Sequence, residues 1–407
     1  MIALGFAAMA AAYFVYGQSV SASSTQPRMP AQAVLLEPSS FAVLGNEGLF
    51  RPAGNEHLLN PTNTTPPFLQ VFHKAFLSDI LGPDAFIVEL ASNDTFAFAH
   101  EAPIWVPDTN RLYFSSNNGG RLGNSGLEKN NVVSFIDLDE VQREIAANGK
   151  EEALNVAVTP LSFPDSIQMT NGGTGPHQGT LLLVNSGRGL FPPTIALVDP
   201  NPPHNTTVLL DNFFGRQFNA LNDVKVHPRS KNIFFTDVTY GPLLGFRPPP
   251  HLPNQVYRLD PKTKAVRVVA DGFDKCNGIA FSADGRTAYI ADTGSHEGLK
   301  GVDETRPATI YAFDVDPRTE AFINRRVFAF VDTGVPDGIQ VDRRGNVYSG
   351  CGDGVHVWDP MGTLLGKFFV GQVAANMVFA ADGNLLILAE TKVFLAKIGA
   401  RGQSLVT

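Results

Sequence analysis

Short apolar stretches alternate with tight polar turns along most of this chain, and one unit keeps returning. His100-Glu101-Ala102-Pro103-Ile104-Trp105 passes through a turn at 107–110 into RLYFSSN. Residues 221–228 (LNDVKVHP) pass through RSKN into IFFTD, and 276–282 (CNGIAFS) through ADGR into TAYIAD. Residues 336–342 (PDGIQVD) lead through RRGN into VYSG, and 374–380 (AANMVFA) through ADGN into LLILAE. Each unit reads as strand, turn, strand, because Asp-Gly and Gly-Asn tolerate the positive φ of hairpin turns. The units recur roughly every 40–60 residues, the spacing of propeller blades. The interval from Glu101 to Asn222 is about twice the others and needs one more blade, for which residues 179–200 supply strands.

The pattern therefore predicts an all-β, six-bladed propeller. Second hairpins follow several units, beginning at Asn254, Ala308 and Val355, which makes four strands per blade. Ring closure requires a strand from the other end of the chain, and residues 85–92 (AFIVELAS) fit that place. Residues 23–80 carry Pro and polar positions and are expected to wrap the propeller, which occupies 81–407. The alternative for the same turns is an unrelated β-sandwich; the repeat aligns polar residues as well as turns, which favours the propeller.

Composition changes this picture little: 43% hydrophobic residues suffice for a large core, and a net charge of −8 without basic runs argues against nucleic acid. The first residues, MIALGFAAMAAAYFVYGQSVSA, form an apolar stretch too short to span a bilayer comfortably, followed by small residues suited to cleavage. They are expected to be a signal peptide over 1–22, leaving no stable membrane span and a secreted protein; an uncleaved anchor is the alternative. Sequons at Asn63, Asn93 and Asn205 agree with passage through the secretory pathway. The two cysteines, Cys276 and Cys351, either form one bridge or are two small buried residues.

The aligned polar residues carry the chemistry. At the start of the innermost strand the units place Glu101, Asn222, Asn277, Asp337 and Asn376. Innermost strands begin at the mouth of the central channel, so these residues converge there from different blades. Oxygen ligands alone suit a hard cation, Ca²⁺ before other divalent ions. Glu101, Asn222, Asn277 and Asp337 are the expected ligands. Asn222 and Asn376 are the candidates to meet a substrate, and His100, beside Glu101, is the candidate for proton transfer. Any one of these residues alone would more simply cap a turn; matching positions in several blades make the ligand reading the stronger. Neither a Gly-x-Ser-x-Gly elbow nor a zincin motif is present.

The chain resembles the senescence-marker-protein/gluconolactonase family, and within it the secreted fungal lactonohydrolases. The residues carrying the likeness are 101–105 (EAPIW), 214–219 (FGRQFN) running into 221–224 (LNDV), Asn277-Gly278-Ile279, Pro336-Asp337-Gly338, and 351–358 (CGDGVHVW). The resemblance implies a calcium-dependent hydrolase that opens a small lactone, with Glu101, Asn222, Asn277 and Asp337 at the metal and Asp337 as base or nucleophile. Some relatives carry an Arg two residues before the position of Asn222; here Ala220 stands there, and Cys276 replaces a common Pro. Other readings of the same scaffold are an aryl-ester or phosphotriester hydrolase, an isomerase, or a non-catalytic ligand-binding propeller.

Overall fold

The computed structural model describes residues 28–45, 58–150 and 152–403. Six sheets are arranged as blades. Their innermost strands are Glu101–Val106, Thr170–His177, Leu221–Val226, Cys276–Phe281, Ile339–Val341 and Asn376–Phe379, in blades 1 to 6. Each innermost strand lies against the next, and the sixth lies against the first, which closes the ring. Phe86–Ser92 pairs antiparallel with Lys392–Lys397 as the outer strand of blade 6, so the blade that joins the two ends of the ring is built from both.

The core is six apolar wedges between neighbouring blades. Ala102 and Ile104 of blade 1 pack on Leu181 and Leu183 of blade 2, and Phe234 of blade 3 packs on Phe281 and Phe322 of blade 4. The N-terminal stretch enlarges blade 5: Phe68–Val71 pairs with its outer strand Leu364–Phe369, and Ala33–Leu35 adds parallel to Phe68–Val71, making six strands. Phe76 then packs over Gly366, where a Cβ would lie 2.3 Å from the ring.

Two features depart from the sequence reading, and a third decides between alternatives it left open. Blade 2 begins at Thr170–His177 (TNGGTGPH), a stretch whose Gly and Pro content reads as loop; residues 179–200 supply its second and third strands. Blade 1 contains a helix, Leu138–Asn148, capped by Asp137, whose carboxylate accepts the N–H groups of Asp139 and Glu140. Cys276 and Cys351 are both free and buried, which resolves the open alternative against a bridge. The expected signal peptide lies outside the described residues. Among the described residues no helix is long and apolar enough to cross a membrane.

Candidate active site

One residue from each blade lines the mouth where the innermost strands begin: Glu101, Asn171, Asn222, Asn277, Asp337 and Asn376. In blades 1 to 4 the strand slips register there, between Glu101 and Ile104, Thr170 and Gly173, Leu221 and Val224, and Cys276 and Ile279. Such a bulge re-aims a side chain out of the sheet's alternation. The glycines that follow the ring residues have a steric reason. A Cβ on Gly278 would lie 2.1 Å from the carbonyl oxygen of Asp337, and one on Gly338 would lie 2.2 Å from the side chain of Asn376. The Asn-Gly and Asp-Gly pairs thus record the close approach of the next blade as well as a turn.

The donors and acceptors of the ring divide into two sets. Asn171 and Asn376 are engaged within it. Asn376 donates to Glu101 Oε2 at 2.8 Å and accepts from the N–H of Met377, and Asn171 donates to the carbonyl of Asn222 while accepting from Asn118. Asn376, expected to meet substrate, is therefore turned toward Glu101. By contrast Asn222 Oδ1, Asn277 Oδ1 and Asp337 Oδ1 are buried with no hydrogen-bond donor. His100, Glu101 and Asp337 bring ligand atoms within 4.8 Å of one another. Buried acceptors without donors are costly. Three of them beside a second carboxylate, all oxygen, fit a hard divalent cation.

Residues without a repeat signal hold this arrangement. His100 Nδ1 lies 2.7 Å from Glu390 Oε1, and Glu390 Oε2 accepts from Asn117 at 2.8 Å. Buried Asp223 accepts the N–H groups of Val224 and Ile279, tying the bulge of blade 3 to that of blade 4. Behind Asp337, the loop from Asp332 is pinned to the hairpin of blade 5. Asp337 N–H donates to the Gly350 carbonyl, and Gly352 N–H donates to that of Thr333. Asp332 meets Lys367 at 2.9 Å, Lys367 meets Asp353 at 2.8 Å, and Asp353 meets His356 Nε2 at 2.5 Å; Asp353, His356 and Lys367 are fully buried. Asp353 and His356 belong to the 351–358 run, one of the segments that carry the family likeness, and that run anchors the loop ending at Asp337.

The electrostatics are those of crowded carboxylates. Burial, then the charge of Asp337, pushes Glu101 well above its usual range. Burial pushes Asp337 up to about 6, against the pull of His100. Burial also works against a charge on His100, but Glu390 overcomes it and raises the imidazole to about 10. Glu390 is itself held low by His100 in spite of its burial. Burial lowers the pKa of His296 from its usual value, with His100 adding to the effect. Tyr240, whose ring lies 5.7 Å from that of His296, is raised by burial and also feels Asp337. Tyr240 and His296 thus stand near the ring on the loops of blades 3 and 4. Ala220 is buried, and a Cβ on Gly241 would lie 3.1 Å from its own and against the Arg247 side chain, so Gly241 is fitted between the two.

Residues 99–390 match the SMP-30/gluconolactonase/LRE-like region family. The chain is 31% identical over 324 residues to the lactonohydrolase oryL of Aspergillus oryzae, covering 76% of this chain and 69% of that one. It is 28% identical over 405 residues to the lactonohydrolase oryH of the same organism, covering 81% and 80%. A solved gluconolactonase of Xanthomonas campestris superposes with a TM-score of 0.61 at 28% identity, over 81% of this chain and 94% of the other. With its repeat, its ring and this breadth of match, the chain belongs to the SMP-30/gluconolactonase family.

Proposed function

We propose that the chain hydrolyses a small lactone at the axial ring. The observation that carries this reading is the trio of donorless buried oxygens, on Asn222, Asn277 and Asp337, beside Glu101. These four residues would hold a divalent cation, Ca²⁺ first, and that ion, when bound, supplies Lewis-acid polarisation of a lactone carbonyl. Asp337 accepts a proton from the attacking water while the water oxygen bonds to the carbonyl carbon. The ring C–O bond breaks, and His100, held charged by Glu390, gives a proton to the leaving ring oxygen. Asn222 orients the substrate, and Tyr240 and His296 flank it. Asn376 acts through Glu101 as a positioning residue. Ala220 favours a substrate less dependent on sugar hydroxyls than those for which relatives carry Arg.

The relatives' names support the lactone class, and exposed Asn63, Asn93 and Asn205 support a secreted glycoprotein. The test is base uptake on a panel of aldonolactones and alkyl-substituted lactones, with and without chelator. We expect turnover of at least one lactone that chelator abolishes and Ca²⁺ restores. No turnover of any lactone with the ion demonstrably bound would sink the assignment and leave a ligand-binding propeller.

A further inference from the structure

The opposite mouth of the channel, where the innermost strands end, holds a cavity of about 90 Å³. A water needs only about 10–15 Å³ of such space, so the cavity admits a molecule of several heavy atoms. Its polar lining is Lys225, Lys231, His177, Thr174, Gln340 and Gln403; no carboxylate lines it. Lys225 is 6% exposed and has no hydrogen-bond or ion-pair partner among the described residues. Asp223, two positions back on the same strand, feels its charge, but both Asp223 oxygens are directed at backbone N–H groups. Lys231, exposed on the following turn at φ +62, adds a second positive charge that His177 registers. The Lys225 side chain thus lines the cavity with no acceptor in contact, and a bound anion would supply one. The remaining walls include Phe281, Val341, Val378 and Phe379, which suit an apolar body more than a hydrated inorganic ion.

We propose that this lower mouth binds a small organic carboxylate, its oxygens on Lys225 and Lys231 and its apolar part against the aromatic and aliphatic wall. The proposal does not depend on the chemistry at the upper ring. The probes are propionate and sulfate, titrated calorimetrically into the full Ca²⁺-loaded chain at constant ionic strength set with chloride. Saturable propionate binding is expected, with Lys225→Met weakening it at least about tenfold and Lys231→Gln weakening it less. Absence of saturable propionate binding, or unchanged binding in Lys225→Met, overturns the proposal. Sulfate binding without propionate binding overturns the carboxylate assignment. Should Lys225→Met not fold, the exposed Lys231→Gln variant decides the question on the same titration.

Discussion

The two ends of the channel are built from the same six strands and carry opposite deficits. At the upper mouth, buried oxygens lack donors and two carboxylates crowd each other. At the lower mouth, Lys225 lines a cavity and lacks an acceptor in contact. Lys225 follows Asn222 by three positions, about 10 Å along a strand, so the polarity reverses within a single strand. Asp223 sits between them, its oxygens on backbone N–H groups, and its charge acts on Lys225 as well as on Glu101 and Asp337. A propeller channel thus need not be one site. Its ends are electrically distinct because carboxylates and amides gather at the upper mouth while Lys225 and Lys231 line the lower one.

The largest expected effect tests the upper end. Asp337→Asn keeps an oxygen for the cation but cannot take a proton, so kcat should fall about 10³-fold. Ca²⁺ titration of the variant should still show one bound ion. Full activity with the ion bound would remove Asp337 from the chemistry. The wild-type ion affinity should itself rise with pH through about 6, since burial raises Asp337 to about 6 and lifts Glu101 above its usual range, and both must lose protons to bind. Next in size is the anchor behind the ring. Lys367→Met leaves Asp332 and Asp353 without their shared cation, and denaturant unfolding should show a loss of about 3–5 kcal/mol. If the cluster positions the Asp337 loop, Ca²⁺ affinity in the folded variant should drop as well; a purely local structural role would leave it unchanged.

Gly278→Ala follows, with an expected loss of about tenfold or more in ion affinity, because the new Cβ meets backbone that cannot rotate away. This variant also bears on what could be read in the sequence. The repeat was legible because Asp-Gly or Gly-Asn turns join apolar strands in several units, two strand starts carry Asn277-Gly278 and Asp337-Gly338, and Glu101, Asn222, Asn277 and Asp337 sit at equivalent places. Asn171 was not, although Asn171-Gly172 is the same pair. Its strand carries further glycines and a proline, since Gly173 must clear Ala102 and Ile104 and Gly172 must clear the Asn222 carbonyl, so the segment lost the apolar pattern that marks a strand. Glu390 had only a faint signal, a charged residue at φ +58 in a hairpin turn that glycine or asparagine would usually fill. The pairing of Lys367 with Asp332 and Asp353 depends on tertiary contact across blade 5 and had none.

The smallest change in rate but the sharpest in sign is expected from Glu390→Gln. Glu390 raises His100 and also raises Asp337 by repulsion. Removing its charge lowers both groups. His100 must stay protonated to serve as the donor, so the alkaline limb of kcat/KM moves to lower pH. Asp337 must be ionised, so the acid limb moves down with it. The whole bell should shift toward acid, with a peak loss of about tenfold. A mutation that only loosened the fold would lower the plateau and leave both limbs in place. Lys225→Met, at the other mouth, whose lining holds no carboxylate, should leave the bell where it is. If Lys225→Met moved the limbs as Glu390→Gln does, the two ends would be electrically one site and the separation between them would fail.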